Sequence, residues 1–151
     1  MHKATLSVVA KSVEELKSSL EEKFGDKILS IEVRSRVAGK QDETSFYDVW
    51  ISCSKGDLVE LVEFLFSFDF PIFHVMSGDD IGNAVLLNYH FSLFTGAGRG
   101  KRIGVVLSLE VPKEDLTMPS LYDKIPGIEY SEREMHEMLG VSFNGLPNQS
   151  L

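Results

Sequence analysis

The run Gly96-Ala97-Gly98-Arg99-Gly100-Lys101 is the first place where the chain could do chemistry, because glycine-rich backbone leading into lysine can cradle phosphate oxygens. A phosphate loop of that kind needs four residues between its first glycine and the Gly-Lys pair, and Thr95 stands where that glycine belongs. It also needs Ser or Thr after the lysine, where this chain has Arg102, and then a helix whose N-terminus faces the phosphate. The residues from Ile103 onward alternate as a strand does, so the run reads as a flexible hairpin loop. His2, His74, His90 and His136 show no metal-ligand spacing. His136-Glu137 begins like a zinc-protease helix, but Gly140 occupies the place of the second histidine. The lone Cys53 has no base near it in sequence, cannot form an internal disulfide, and falls short of the several thiolates an iron–sulfur cluster needs. Asp79-Asp80 could pair for acid–base work, yet Gly82-Asn83 just beyond makes a turn the simpler reading. No nucleophile–base pair for hydrolysis is visible.

The elements that would carry these residues are readable from period. Ala4, Leu6 and Val8 alternate and predict a strand over residues 4–9. Ser12 with Glu15 forms a capping box, and Val13, Leu16, Leu20 and Phe24 line one face of a helix that Gly25 stops in the left-handed conformation. Residues 28–37 and 45–52 predict two strands joined through the polar stretch 38–44. Ser54 and Asp57 open a second helix with Leu58, Leu61, Val62 and Leu65 inward, Pro71 ends it, and residues 72–76 form another strand. Leu87, Tyr89, Phe91 and Leu93, then Ile103 to Val111, predict a long hairpin.

This order predicts an α/β (α+β) fold: a ferredoxin-like β-α-β-β-α-β core extended by a long β-hairpin. An irregular C-terminal segment with one short helix follows. Residues 1–111 form the body and residues 112–151 the segment, within a single domain overall.

Composition limits what such a domain can do. A net charge of −8 argues against nucleic acid or anionic lipid as a partner engaged by whole-molecule charge. No apolar run is long enough to span a membrane, and the N-terminus shows no signal-peptide pattern, so the cytosolic side is expected.

The most informative stretch is 119–147. Ser131 and Glu134 form a second capping box, Tyr130 and Met135 a hydrophobic staple, and Met135, Met138 and Leu139 one apolar stripe. Gly140 ends the helix, and Arg133 lies off the stripe near Glu137. A helix of barely two turns is unstable alone and must dock, either on the chain's own sheet or on a partner.

Pro119-Ser120-Leu121, Gly127-Ile128-Glu129-Tyr130, Ser131-Glu132-Arg133-Glu134, Met138-Leu139-Gly140-Val141 and Gly145-Leu146-Pro147 occur in that order. Together they resemble the signature of the thirty-kilodalton subunit family of respiratory complex I. That family extends to the equivalent small subunit of membrane-bound energy-converting hydrogenases and sulfur reductases. The resemblance implies a non-catalytic subunit with no cofactor of its own. It would pack against the large catalytic subunit, beside the iron–sulfur small subunit, during electron transfer coupled to ion translocation. Iron–sulfur clusters, and a nickel–iron site in hydrogenase-type members, are implied in those partners. The resemblance also places the chain peripherally on the cytoplasmic side of the cell membrane, through the assembled complex.

The residues it assigns to partner contact are Pro119, Ser120, Tyr130, Glu132, Arg133, Glu134, Glu137, Gly140, Gly145 and Pro147. Glu137 replaces the family's usual Asp and Leu146 its usual His, and the basic tail that often follows the signature in complex I proper is not expected here. These departures tilt the resemblance toward the hydrogenase or sulfur-reductase branch. The alternative from the residues alone is a free-standing ferredoxin-like module that senses a small ligand at the 95–101 loop.

Overall fold

A computed structural model of the chain describes residues 9–39, 44–98 and 100–149. The strand expected over residues 4–9 lies outside the described residues but for Val9, which belongs to no strand. Helix α1 spans Val13–Phe24 and starts as expected. The Ser12 hydroxyl accepts from the Glu15 N–H at 3.1 Å, and the Glu15 carboxylate accepts from the Ser12 N–H at 3.0 Å. Val13, Leu16, Leu20 and Phe24 are buried. Gly25 has positive φ, but its ψ of −123° takes it out of the left-handed well, so the chain leaves through a short 3-10 turn instead.

Strands β1 (Ile28–Ala38) and β2 (Thr44–Cys53) form an antiparallel hairpin. Helix α2 (Leu58–Phe66) buries Leu58, Leu61, Val62 and Leu65, as the spacing predicts. Three strands follow: β3 (Ile72–Asp80), longer than expected, β4 (Ala84–Leu93) and β5 (Ile103–Pro112). Asp79 and Asp80 end β3. Asp80 shapes the turn, accepting from the Gly82 N–H at 2.9 Å and pairing with Lys113 at 2.8 Å.

The fold is mixed α/β. Its five-stranded sheet has the order β1-β2-β5-β4-β3, with β2 and β5 parallel and the other neighbours antiparallel. The β4–β5 hairpin therefore extends the sheet from within, between β2 and β3. That position explains why β5 is apolar on both faces around Val105, Val106 and Leu107, as a central strand should be.

The C-terminal part is more regular than its prolines suggest. Strands β6 (Thr117–Pro119) and β7 (Ser142–Asn144) pair in parallel, and helix α3 (Glu129–Leu139) crosses between them. Met118, Leu121, Ile125, Ile128, Met135, Val141, Phe143 and Leu146 join the same buried cluster as the body's Leu16, Ile51, Leu61 and Leu107. Helix α3 sits against β3 at Gly78. A Cβ there would lie 2.5 Å from Leu139 Cδ1 and 2.6 Å from Met135 Sδ, so any side chain at this position must displace those side-chain ends.

Gly78→Leu should lower stability by about 1–3 kcal/mol through overpacking. Denaturant melts check this; a change within about 0.5 kcal/mol, the range of an ordinary surface substitution, would contradict so close a seat.

Candidate functional site: the C-terminal signature

The sequence places the start of α3 at Ser131, but the helix begins at Glu129, after a 3-10 turn over Pro126–Ile128. Pro126 presets φ for that turn and buried Ile128 anchors it, so the first N–H groups are fed by the turn rather than by a side chain. No side-chain cap is made and Ser131 lies inside the helix, so the expected Ser131–Glu134 box is absent. Eleven residues give about three turns rather than barely two.

Three faces of α3 have separate tasks. The inward face carries Glu132 and Met135, both buried, with Leu139 half-buried. Met138, expected on this stripe, is 69% exposed. Glu132, expected among the partner contacts, is fully buried within the chain. Its carboxylate accepts from the Ser120 hydroxyl at 2.6 Å and from the Leu121 N–H at 2.9 Å, while Ser120 Oγ accepts from the Tyr122 N–H at 3.1 Å. Burial pushes the Glu132 carboxyl above the usual carboxylate range; the Ser120 and Leu121 hydrogen bonds pull it back, and Asp123 adds to the rise. Behind it, burial first and the Glu132 charge second hold the Tyr89 hydroxyl protonated.

A second face holds the chain's own tail. Arg133 pairs with Glu129, one turn back, rather than with Glu137, and its Nε–H donates to the Asn148 carbonyl. His136 Nδ1 lies 2.8 Å from the Val141 carbonyl, so in this tautomer it donates there and helps close the helix end. Gly140 takes the left-handed conformation (φ 78°, ψ 10°), and its N–H donates to the His136 carbonyl at 3.0 Å, the termination expected. The β6–β7 pair is extended and tied to the tail: Ser120 N–H, just after β6, donates to the Asn144 carbonyl at 2.8 Å, and Phe143 N–H of β7 to the Gln149 side chain at 2.8 Å. Gly145, at φ 102°, makes the turn that brings Pro147 and Asn148 back toward Arg133.

The third face is outward. Tyr130, Glu134, Glu137 and Met138 follow the i, i+4, i+7, i+8 spacing of one helical face. Tyr130 is 65% exposed, Glu137 is exposed and Glu134 is half-buried. Of the ten expected contact residues, Ser120, Glu132 and Arg133 are thus internal ties, and Pro119 sits half-buried in β6. Gly140, Gly145 and Pro147 are exposed at the turns. Sequence spacing missed Glu129 and His136 as ties, although i, i+4 spacing of Glu129 and Arg133 could have flagged the first.

The other residues singled out in the sequence lie away from the signature. Cys53 is buried and its thiol is pushed up to about 12, by burial and then by Asp57, so it is not a thiolate. Among the described residues no three His, Cys, Asp or Glu side chains gather as a metal would require. The loop at 95–101 leads into β5, and the hollow beside it is lined by Lys11, Ser12, Glu14, Glu15 and Lys101. There the α1 N-terminus is already closed by its own capping box. Among the described residues no helix is long and apolar enough to cross a membrane.

A family model for the respiratory-chain NADH dehydrogenase 30 Kd subunit matches residues 51–150, which takes in the whole signature. The chain belongs to that family, the class of subunit found in complex I-like and membrane-bound hydrogenase or reductase assemblies. It is 29% identical over 103 residues to membrane-bound hydrogenase subunit beta of Pyrococcus furiosus, covering 67% of this chain and 58% of that protein. It is also 39% identical over 46 residues to the C subunit of the NADH-quinone oxidoreductase of Herpetosiphon aurantiacus, covering 30% of this chain and 27% of that one. The chain thus spans well under two thirds of the length of these curated relatives.

Its fold is similar to a trypsin-resistant fragment of Nqo5, with a TM-score of 0.66 at 20% identity over 88% of this chain and 98% of the fragment. It is also similar to a chain of the membrane-bound sulfane sulfur reductase, an archaeal respiratory membrane complex. There the TM-score is 0.65 at 18% identity, over 87% of this chain and 70% of that one.

The Glu132 geometry sets a pH dependence. A carboxyl raised by folding holds its proton to higher pH than in the unfolded chain, so its contribution to stability is present at low pH. It is lost as pH rises from the unfolded value through the folded one. Glu132→Gln stays neutral and keeps one acceptor for Leu121. Between about pH 4 and about pH 8 the stability difference between wild type and variant should move in the variant's favour. Urea melts at both pH values measure it; a pH-independent difference would show that the carboxylate ionises freely in place.

Proposed function

We propose that this chain is a non-catalytic, cofactor-free subunit of a membrane-bound complex I-like oxidoreductase, of the energy-converting hydrogenase or sulfur-reductase type. In this reading its C-terminal signature packs against the large catalytic subunit and helps position it, beside the iron–sulfur small subunit, during electron transfer coupled to ion translocation. The chain would then reach the cytoplasmic side of the membrane only as part of the assembly. Iron–sulfur clusters and any nickel–iron site would belong to the partners.

The observation that carries this reading is the division of α3. Glu132, Arg133 and His136 fix the helix to its own chain, while Tyr130 and Met138 stay exposed on one stripe with Glu134 and Glu137. An exposed aromatic and a methionine on a helix held this firmly match the composition of interface centres better than that of ordinary surface. Pro119, Ser120, Gly140, Gly145 and Pro147 then set the path of the segment that presents the stripe. The hydrogenase or sulfur-reductase assignment draws support from the longer of the two sequence alignments.

The double variant Tyr130→Ala, Met138→Ala should reduce co-purification with the large subunit at least about tenfold, since truncated interface anchors each cost about 1–2 kcal/mol or more. Thermal melts of the isolated chain should stay within about 2 °C, because neither side chain is buried there. Full recovery of the partner with the variant would remove the stripe from the interface.

A further inference from the structure

The helices pack on the sheet face that carries Val49, Ile51, Leu107 and Tyr89, and the opposite face is built differently. The register places Arg34, Asp48, Gly104 and Ser92 in one row across β1, β2, β5 and β4. The next row is Glu32, Trp50, Val106 and His90. In β3 an irregularity between Phe73 and Val75 inserts His74, which turns onto this face and reaches Ser92 Oγ at 2.6 Å.

Two arginines and two histidines gather at one end. Arg36, Arg102, His74 and His90 ring a hollow of about 360 Å³ floored by Gly104 and Val106. Three of the chain's five arginines, Arg34, Arg36 and Arg102, stand here, although the whole chain carries −8. Asp79 and Glu110 sit in a row at the opposite end, so the face is polarised along the strands.

The arginines at this end are held in place but only partly neutralised, Arg34 being paired with Glu32 at 2.5 Å. Arg102 donates through Nε to the fully buried Ser92 hydroxyl at 2.8 Å, and among the described residues it has no carboxylate partner. That contact fixes the guanidinium and leaves its paired terminal N–H groups for a bidentate acceptor. Asp48 is the carboxylate lining the hollow among the described residues, and its pairing with Arg36 is long, at 3.7 Å. Gly104 makes room for Asp48: a Cβ there would lie 2.0 Å from Asp48 Oδ1, so that carboxylate itself lies over this part of the floor. Beside the hollow, Trp50 lies under the Arg34 guanidinium at 4.0 Å and edge-on to His90 at 6.0 Å. An aromatic flanked by arginine is the composition of an interface centre.

We infer that this end of the open sheet face docks an acidic polypeptide segment, with one of its carboxylates on the Arg102 fork and a second on Arg36, against Trp50. The surface is distinct from the outward stripe of α3. It adds a second contact to the subunit reading, and its test needs only the isolated chain, so either can fail without the other.

Trp50 is the only tryptophan, so its fluorescence reports the site directly. Titrating the full chain with a hexaglutamate peptide at low salt should change Trp50 emission saturably, and raising the salt should weaken the response. Arg102→Gln should weaken binding at least about tenfold, and Arg36→Gln, whose side chain is more than half exposed, should weaken it without disturbing the fold. Hexaglutamine should give no response. The inference is overturned by a flat hexaglutamate titration, by equal binding to both arginine variants and wild type, or by inorganic phosphate binding as tightly as the peptide.

Discussion

The buried carboxylate of Glu132 is the contact on which the C-terminal third depends. A helix of eleven residues has too little propensity to stand alone, and α3 begins without a side-chain cap. It is held because one carboxylate, removed from water, takes the Ser120 hydroxyl and the Leu121 N–H together. Those two donors lie on the chain just after β6, so one contact fixes the angle between helix and strand. Desolvation works against it, as the raised Glu132 carboxyl records. Leaving the Leu121 N–H buried and unmet would itself cost about 1–3 kcal/mol, and the carboxylate relieves that cost.

From that tie the rest of the signature follows. Arg133 and His136 draw the tail at Asn148 and Val141 onto the same helix, and β7 closes on β6 in parallel. The short β-α-β crossover so formed rests on the body where Gly78 leaves room beneath Met135 and Leu139. Once inward and tail-facing positions are occupied, Tyr130, Glu134, Glu137 and Met138 are what remain. The motif's residues therefore divide into those that build the helix's seat and those available to a neighbour. The open face of the sheet is a separate surface, with its own aromatic and its own charge.

Local physics made much of the body readable. The Ser12–Glu15 box, the Val13-Leu16-Leu20-Phe24 stripe and the alternation from Leu87 to Leu93 each depend on residues within a few positions of one another, and each appears as expected. What escaped depends on distant pairing. Nothing near Ile103 says that β5 will lie parallel to β2, and nothing near Thr117 says that it will pair with Ser142. The inward turn of Glu132 is hidden for a related reason. A glutamate between Ser131 and Arg133 reads as solvated unless Ser120, twelve residues earlier, is known to face it. Spacing alone offers Arg133 a partner in Glu137, whereas the helix, starting earlier at Glu129, supplies one a turn back. The cluster around Trp50 draws on four strands and a bulge, so no window of sequence contains it.

The proposed function turns on one claim, that the outward stripe of this helix meets the large catalytic subunit of an oxidoreductase assembly. The most direct test places a photo-crosslinking benzoylphenylalanine at position 138 in the native complex, irradiates it, and identifies the attached peptide by mass spectrometry. The account predicts a cross-link to the large subunit, lost when the same residue is placed at buried position 135. A position-138 cross-link that goes only to a second copy of this chain, or to no protein at all in the intact complex, would contradict it.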